Sequence, residues 1–276
     1  MTEKYDIRPE QSQELLKELH ILTRDGKLNQ DSRRKLKQVY HLYRFIEPLL
    51  LEVQKRHAGI TLVDHGAGKS YLGFILYDLF FKHSDDGSHI FGIETRDELV
   101  QKSRLLAQRF GFPHMSFLNI TAEQSIVDTG MPEQVDIVTA LHACDTATDD
   151  AIAFALKKRA DFIVLVPCCQ AEVAAALNSA KGRSLSASVL TELWRHPIHT
   201  REFGSHLTNV LRCLQLEAHG YQVTVTELVG WEHSMKNELI IAKYKNVPLR
   251  KKSERLKELL ASLGLEELQS RFFTPF

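Results

Sequence analysis

The stretch from Ile60 to Gly73, ITLVDHGAGKSYLG, constrains this chain more than any other. An apolar run, Ile60 to Val63, closes on the acid Asp64, and the turn Gly66-Ala67-Gly68 follows at once. Apolar residues then recur at helical spacing, at Leu72, Ile75, Leu76 and Leu79. The pattern predicts a buried strand, a tight turn and a helix. Glycine has no Cβ, so backbone at such a turn comes close to a ligand. The helix start presents unpaired N–H groups to polar or anionic chemistry. A phosphate-cradling G-x-x-x-x-G-K-[ST] loop needs glycine where Val63 stands, and a G-x-G-x-x-G turn needs one where Tyr71 stands. Neither motif describes the segment.

A helix and a turn further on, His89 to Glu94 (HIFGIE) reads as a second strand ending in an acid. An acid there is placed to hold a ribose diol. With Asp64-His65-Gly66-Ala67-Gly68-Lys69-Ser70, these residues resemble the class I S-adenosylmethionine-dependent methyltransferases, whose first motif is acid-x-Gly-x-Gly-x-Gly. Ser70 stands at the third glycine, a small replacement that still lets the helix pack on the strand. The resemblance implies S-adenosylmethionine over Asp64, Gly66, Ala67 and Gly68, with its ribose on Glu94. Asn119, at the end of the third strand, would meet the adenine.

Composition narrows the class. The chain has 276 residues, 43% hydrophobic and 25% charged, as expected of a soluble globular protein with a proper core. Thirty-five basic residues balance 35 acidic ones, so the basic surplus usual in nucleic-acid proteins is missing, although local patches still bind. The 13 histidines are scattered. Cys144, Cys168, Cys169 and Cys213 form neither a zinc nor a disulfide framework. No metal is expected, and the protein reads as reduced, intracellular and cytoplasmic. A polar, charged segment follows Met1, so no secretory leader is expected, and the apolar runs are far too short to span a membrane.

Residues 10–58 read as two or three helices forming an N-terminal lobe, 1–58, with a basic run from Arg33 to Lys37. From Ile60 strands alternate with helices, with strands at 60–64, 89–94, 114–118, 135–141 and 161–166. Such alternation predicts a doubly wound, Rossmann-like α/β sheet of parallel strands, with ligands outside the strand carboxyl ends. Residues 171–220 read as helical, with Gly220 as a stop. Tyr221–Val229 and Asn237–Tyr244 form a terminal antiparallel hairpin that closes the domain at 246. A tail, 247–276, is basic and then amphipathic, and packs back as a helix.

The residues able to do chemistry follow the fourth and fifth strands: His142, Cys144 and Asp145, then Pro167-Cys168-Cys169-Gln170. A third element, Glu232 to Asn237, precedes the last strand. Together they resemble the methyltransferase branch that includes acceptor-stem tRNA 2′-O-methyltransferases and methyltransferase-like proteins of unsettled substrate. That branch carries His-x-Cys-x-x-x-Thr-Asp, here His142, Cys144, Thr148 and Asp149. A Cys-Cys pair follows, here Cys168-Cys169, and a late Pro/Met-Lys-Asn turn, here Met235-Lys236-Asn237. Asp145 departs from the pattern, where glycine is usual.

Methyl transfer is a displacement at a sulfonium that depends chiefly on alignment. A hydroxyl or amine acceptor also needs a base, and histidine suits neutral pH. His142, helped by Asp145, is the expected base, and it also counts among the expected cofactor-binding residues, beside the transferable methyl. Cys168 offers the rival chemistry, thiolate attack on a pyrimidine. The expected activity is S-adenosylmethionine-dependent methyl transfer to a macromolecule, with RNA favoured. A protein acceptor, a cofactor-binding scaffold without turnover and an NAD-dependent oxidoreductase are the alternatives.

Overall fold

The computed structural model describes residues 7–84, 86–141, 143, 145–167, 170–180, 189–228, 238–247 and 249–273. The chain opens with α1 (Gln13–Glu18), capped by the Ser12 hydroxyl, and α2 (Gln30–Gln54), capped by the Asn29 side chain. Then β1 (Thr61–His65), α3 (Tyr71–Leu79), β2 (His89–Ile93), α4 (Asp97–Phe110) and β3 (Met115–Leu118) alternate. The alternation continues with α5 (Ala122–Val127), β4 (Ile137–Leu141), α6 (Ala147–Lys157), β5 (Phe162–Val166) and α7 (Glu172–Ala180). After α8 (Pro197–Ala218) come β6 (Tyr221–Glu227), β7 (Glu238–Tyr244), α9 (Arg250–Ser262) and α10 (Gln269–Phe272).

The seven strands form one sheet in the order β3-β2-β1-β4-β5-β7-β6. The first five are parallel, and β7 runs antiparallel to both β5 and β6. The strand order reverses at β1, which pairs with β2 on one side and β4 on the other. That switch point is where such sheets bind ligands.

Side chains alternate across each strand, and both faces are covered. Leu62, Ile137, Phe162 and Val164 face a core shared with α2 and α3, whereas Val63, Val138, Ile163 and Leu165 face one shared with α6. Leu15 and Leu16 of α1 and Ile46 and Leu50 of α2 belong to the first of these cores. The N-terminal helices therefore cover the sheet and have no separate core among the described residues. A third cluster joins Leu177 of α7, Leu207 and Leu211 of α8 and Leu256 and Leu260 of α9, so the C-terminal helix packs back as its sequence predicts.

Two segments are less helical than their periodicity predicts. Between α1 and α2 the Thr23 hydroxyl donates to the Lys27 carbonyl at 3.1 Å and accepts the Lys27 amide at 2.9 Å. Such local side-chain bonds compete with the helical ladder. Between α7 and α8 a 3-10 turn, Val189–Trp194, intervenes, and Pro197 starts the new helix where its missing N–H costs nothing. No helix among the described residues is long and apolar enough to cross a membrane.

Helices α7 and α8 meet at Gly204, where a Cβ would lie 2.8 Å from the Ala174 backbone nitrogen and Cα. Gly204→Ala must push the two helices apart. We expect a loss of about 1–3 kcal/mol in urea unfolding; an unchanged midpoint would show that the helices separate freely.

Candidate functional site

Parallel register sets the site. His65 lies opposite Ile93, so Gly66 and Glu94 leave the sheet side by side at its carboxyl edge. Gly66 and Gly68 adopt φ of 62° and 58°, the left-handed region open to glycine. The Ala67 amide donates to the Ile93 carbonyl at 3.0 Å, and the Gly68 amide donates to Glu94 Oε2 at 2.9 Å. Arg96 donates to the same carboxylate from its backbone and Nε, both 3.0 Å from Oε1, and from Nη2, 3.0 Å from Oε2. Burial pushes the Glu94 carboxyl up, but the Arg96 and Gly68 donors outweigh it and hold the group below the usual carboxylate range. A buried anion thus stands beside two positions that carry no Cβ. This donor and acceptor set fits the ribose and backbone-contacting parts of a nucleoside cofactor.

Ser70 also adopts a left-handed φ, 51°, at the place of the motif's third glycine. It is fully buried, and its hydroxyl has no hydrogen-bond partner among the described residues. A Cβ on residue 73 would lie 2.6 Å from that hydroxyl, so serine is accommodated because Gly73 leaves room for it. Asn119 Nδ2 donates to the Glu94 and Thr95 carbonyls at 3.1 and 2.9 Å, which ties the end of β3 to the loop carrying the acid.

Beneath the turn, Asp64 is buried and its Oδ1 accepts the Thr139 hydroxyl at 2.7 Å. Burial pushes its carboxyl up to about 7. The neighbouring His65 is buried against the Phe154 ring, 4.4 Å between centroids, and its Nε2 has no partner among the described residues. Burial pushes its imidazole down to about 3.

On the far side of the switch point, Asp145 adopts φ 51°. This is the position where the resemblance expects glycine, and aspartate tolerates left-handed backbone better than most residues. Its Oδ1 accepts the Ala171 and Glu172 amides at 3.0 and 3.4 Å, which caps the start of α7. The Asp145 carboxylate therefore turns toward α7. Thr148 donates its hydroxyl to the Ala143 carbonyl at 2.6 Å. Asp149 is held by Arg212, with Nε 2.7 Å from Oδ1 and Nη2 2.8 Å from Oδ2. The same Nη2 donates to the Asp145 carbonyl at 2.9 Å, and Nη1 to Asn209 Oδ1 at 3.2 Å. Asn209 in turn joins Gln170 Nε2 at 3.0 Å and Glu238 Oε2 at 2.8 Å.

Sequence reasoning did not single out Arg212. The available signal was a cation set inside the apolar stripe Val210, Leu211, Leu214 of α8, in a chain whose loop after β4 carries Asp145 and Asp149. His142, Cys144, Cys168, Cys169 and the Glu232–Asn237 turn lie outside the described residues. Cys213 is described, and burial pushes its thiol up to about 12. At the opposite, amino edge, His57, Asp136 and Asp161 draw together, but Asp136 is taken by His57 and the Thr61 amide, and Asp161 by Arg56.

Two outcomes follow from these buried charges. The Asp64 carboxyl is raised on folding, so its contribution to stability is full below about 4 and is lost as pH rises through about 7. In Asp64→Asn, stability relative to the parent should rise with pH across that window by up to about 1.4 kcal/mol per unit. Parallel urea profiles for the two proteins would show that Asp64 ionises as in water. In Arg212→Ala, Asp149 is left buried and unpaired, and we expect about 3–5 kcal/mol of destabilisation. A loss below about 1 kcal/mol would place the pair in the weak, solvent-screened class.

The chain is similar to several known proteins. The glutathione S-transferase C-terminal domain-containing protein of Bos taurus is 25% identical over 239 residues, covering 80% of this chain and 35% of that protein. The chain thus spans about a third of the length of the curated relatives it matches. A provisionally assigned O-methyltransferase from Klebsiella pneumoniae shares the fold, with a TM-score of 0.51 at 14% identity over 87% of this chain and 91% of that one. Magnesium protoporphyrin IX methyltransferase from Synechocystis PCC 6803 gives 0.46 at 14% identity, over 85% and 95%. A family described as a methyltransferase domain matches residues 34–176, just over half of the chain. The chain therefore belongs to that methyltransferase-domain family, whose methyl donor is S-adenosylmethionine.

Proposed function

We propose that the chain transfers a methyl group from S-adenosylmethionine to RNA. The observation that carries the donor half is the buried Glu94 carboxylate, bonded to the Gly68 amide beside glycines that leave the edge open. When bound, the cofactor supplies an electrophilic methyl on sulfur, and the chain's task is alignment.

Glu94 accepts the ribose hydroxyls in this reading. Arg96 holds the same two oxygens, so its guanidinium must yield to the diol. The Arg96 side chain is 62% exposed and can turn into water. Arg212, through Asp149 and the Asp145 carbonyl, fixes the backbone on the far side of the edge. His142 takes the proton of the attacking hydroxyl or amine. Resemblance to tRNA 2′-O-methyltransferases and the exposed basic start of α2 support RNA as the acceptor. The free Cys213 and the lack of a disulfide pattern support a reducing, cytoplasmic setting.

The test is transfer of labelled methyl from S-adenosylmethionine into cell extract, separated afterwards into RNA, protein and small molecules. RNA should carry the label. Glu94→Ala should cut it about ten- to a hundred-fold, as expected on losing hydrogen bonds to a charged group worth about 1.5–3 kcal/mol. Label in protein alone would overturn the acceptor. Cofactor binding without label in any fraction would make the chain a scaffold.

A further inference from the structure

Two cavities beside the carboxyl edge of the sheet meet at Leu19 and Tyr71. The larger, about 470 Å³, lies between the segment after α1 and helix α4. Lys69, Lys102, Arg109 and His20 line it, and Glu18 is its one acid among the described residues, ion-paired with Arg109 at 2.6 Å. The smaller, about 220 Å³, is walled by Ile21, Val39, Leu72 and Leu141, with Lys35 and Gln38 as its polar groups. Leu141 is the last residue of β4, so this slot opens at the edge that carries Glu94 and the glycine turn, one residue before His142.

We propose that the joined cavities seat a nucleotide of single-stranded RNA, with its base in the apolar slot against Tyr71 and its phosphates over Lys69 and Lys102. The inference rests on the methyl-transfer reading above and locates its acceptor. The chain is neutral overall, so a cavity with three Lys or Arg side chains and a single acid marks a local surplus. On the slot's side of α2, Lys35 adds a cation to those of the larger cavity. A strip of cations matches a polyanionic strand better than a single anion. An aromatic side chain in an apolar slot suits any flat base, since stacking tolerates sequence. The other basic stretch is less suited: Arg250 and Lys252 of α9 pair with Glu254 and Glu217, and Lys257 lies over the Phe273 ring.

The experiment measures binding of a fluorescent oligouridylate to the full chain, with S-adenosylhomocysteine present, as salt is raised. Lys102→Glu should weaken binding roughly ten-fold and flatten the slope of log K against log salt by about 0.7 for each phosphate no longer neutralised. Tyr71→Ala should weaken binding, also roughly ten-fold, with the slope unchanged. Lys55→Glu, on an exposed residue at the far end of α2, should match the parent. Calorimetric affinity for S-adenosylhomocysteine should stay the same in all three variants, which shows that they fold. Equal losses in Lys102→Glu and Lys55→Glu, or an unchanged slope in Lys102→Glu, would overturn the assignment. So would a parent that binds no oligouridylate. If that parent still methylates protein, the donor reading stands and this seat falls alone.

Discussion

One hydrogen bond, from the Gly68 amide to Glu94, joins the two halves of the site on which the rest depends. The bond requires β1 and β2 to end at the same level, which their register provides. It requires a turn tight enough to bring an amide back over the neighbouring strand, which the left-handed Gly66 and Gly68 provide. It also requires the carboxylate to stay ionised while buried, which its Arg96 and Gly68 donors ensure. When the Arg96 guanidinium turns away, the backbone donors of Gly68 and Arg96 still hold the carboxylate at the end of β2.

The far half of the edge is held differently. No glycine turn shapes the loop after β4. A buried guanidinium does so, gripping Asp149 by its side chain and Asp145 by its carbonyl. A buried ion pair is a poor source of net stability, but it accepts few alternative arrangements. Arg212 therefore reads as a device for fixing geometry across α6, α8 and the start of α7, elements that meet at the carboxyl edge of the sheet. Ser70 and Asp145 follow a common pattern. Both occupy left-handed backbone where glycine is usual, and each is accommodated by its surroundings: Gly73 clears space for one, and the α7 amides bind the other.

The strands were legible because parallel strands in a covered sheet are short, continuously apolar runs, as in Phe162–Val166, buried at every position. Asp64, the glycines and Glu94 were legible because local sequence alone places an acid and a turn at strand ends. Partners were not legible. Thr139 meets Asp64 through the β1–β4 register, and Arg212 meets Asp149 across 63 positions of sequence. A cation inside an apolar helical stripe reads, in one dimension, as a side chain reaching for water. The balanced charge concealed the basic cavity for the same reason, since totals carry no positions. The two N-terminal helices were legible, but not the length of the break between them, where Thr23 and Lys27 bond to each other, a contest that periodicity does not weigh.

The strand order also bears on how the chain is made. Strand β7 inserts between β5 and β6, so the fully buried β5 has no neighbour on that side until residues near 244 exist. A nascent or truncated chain ending before β7 would present a flat apolar edge of the kind that recruits other chains. The sheet is thus completed late, because the strand that pairs with β5 follows α8 and the first strand of the hairpin in the chain.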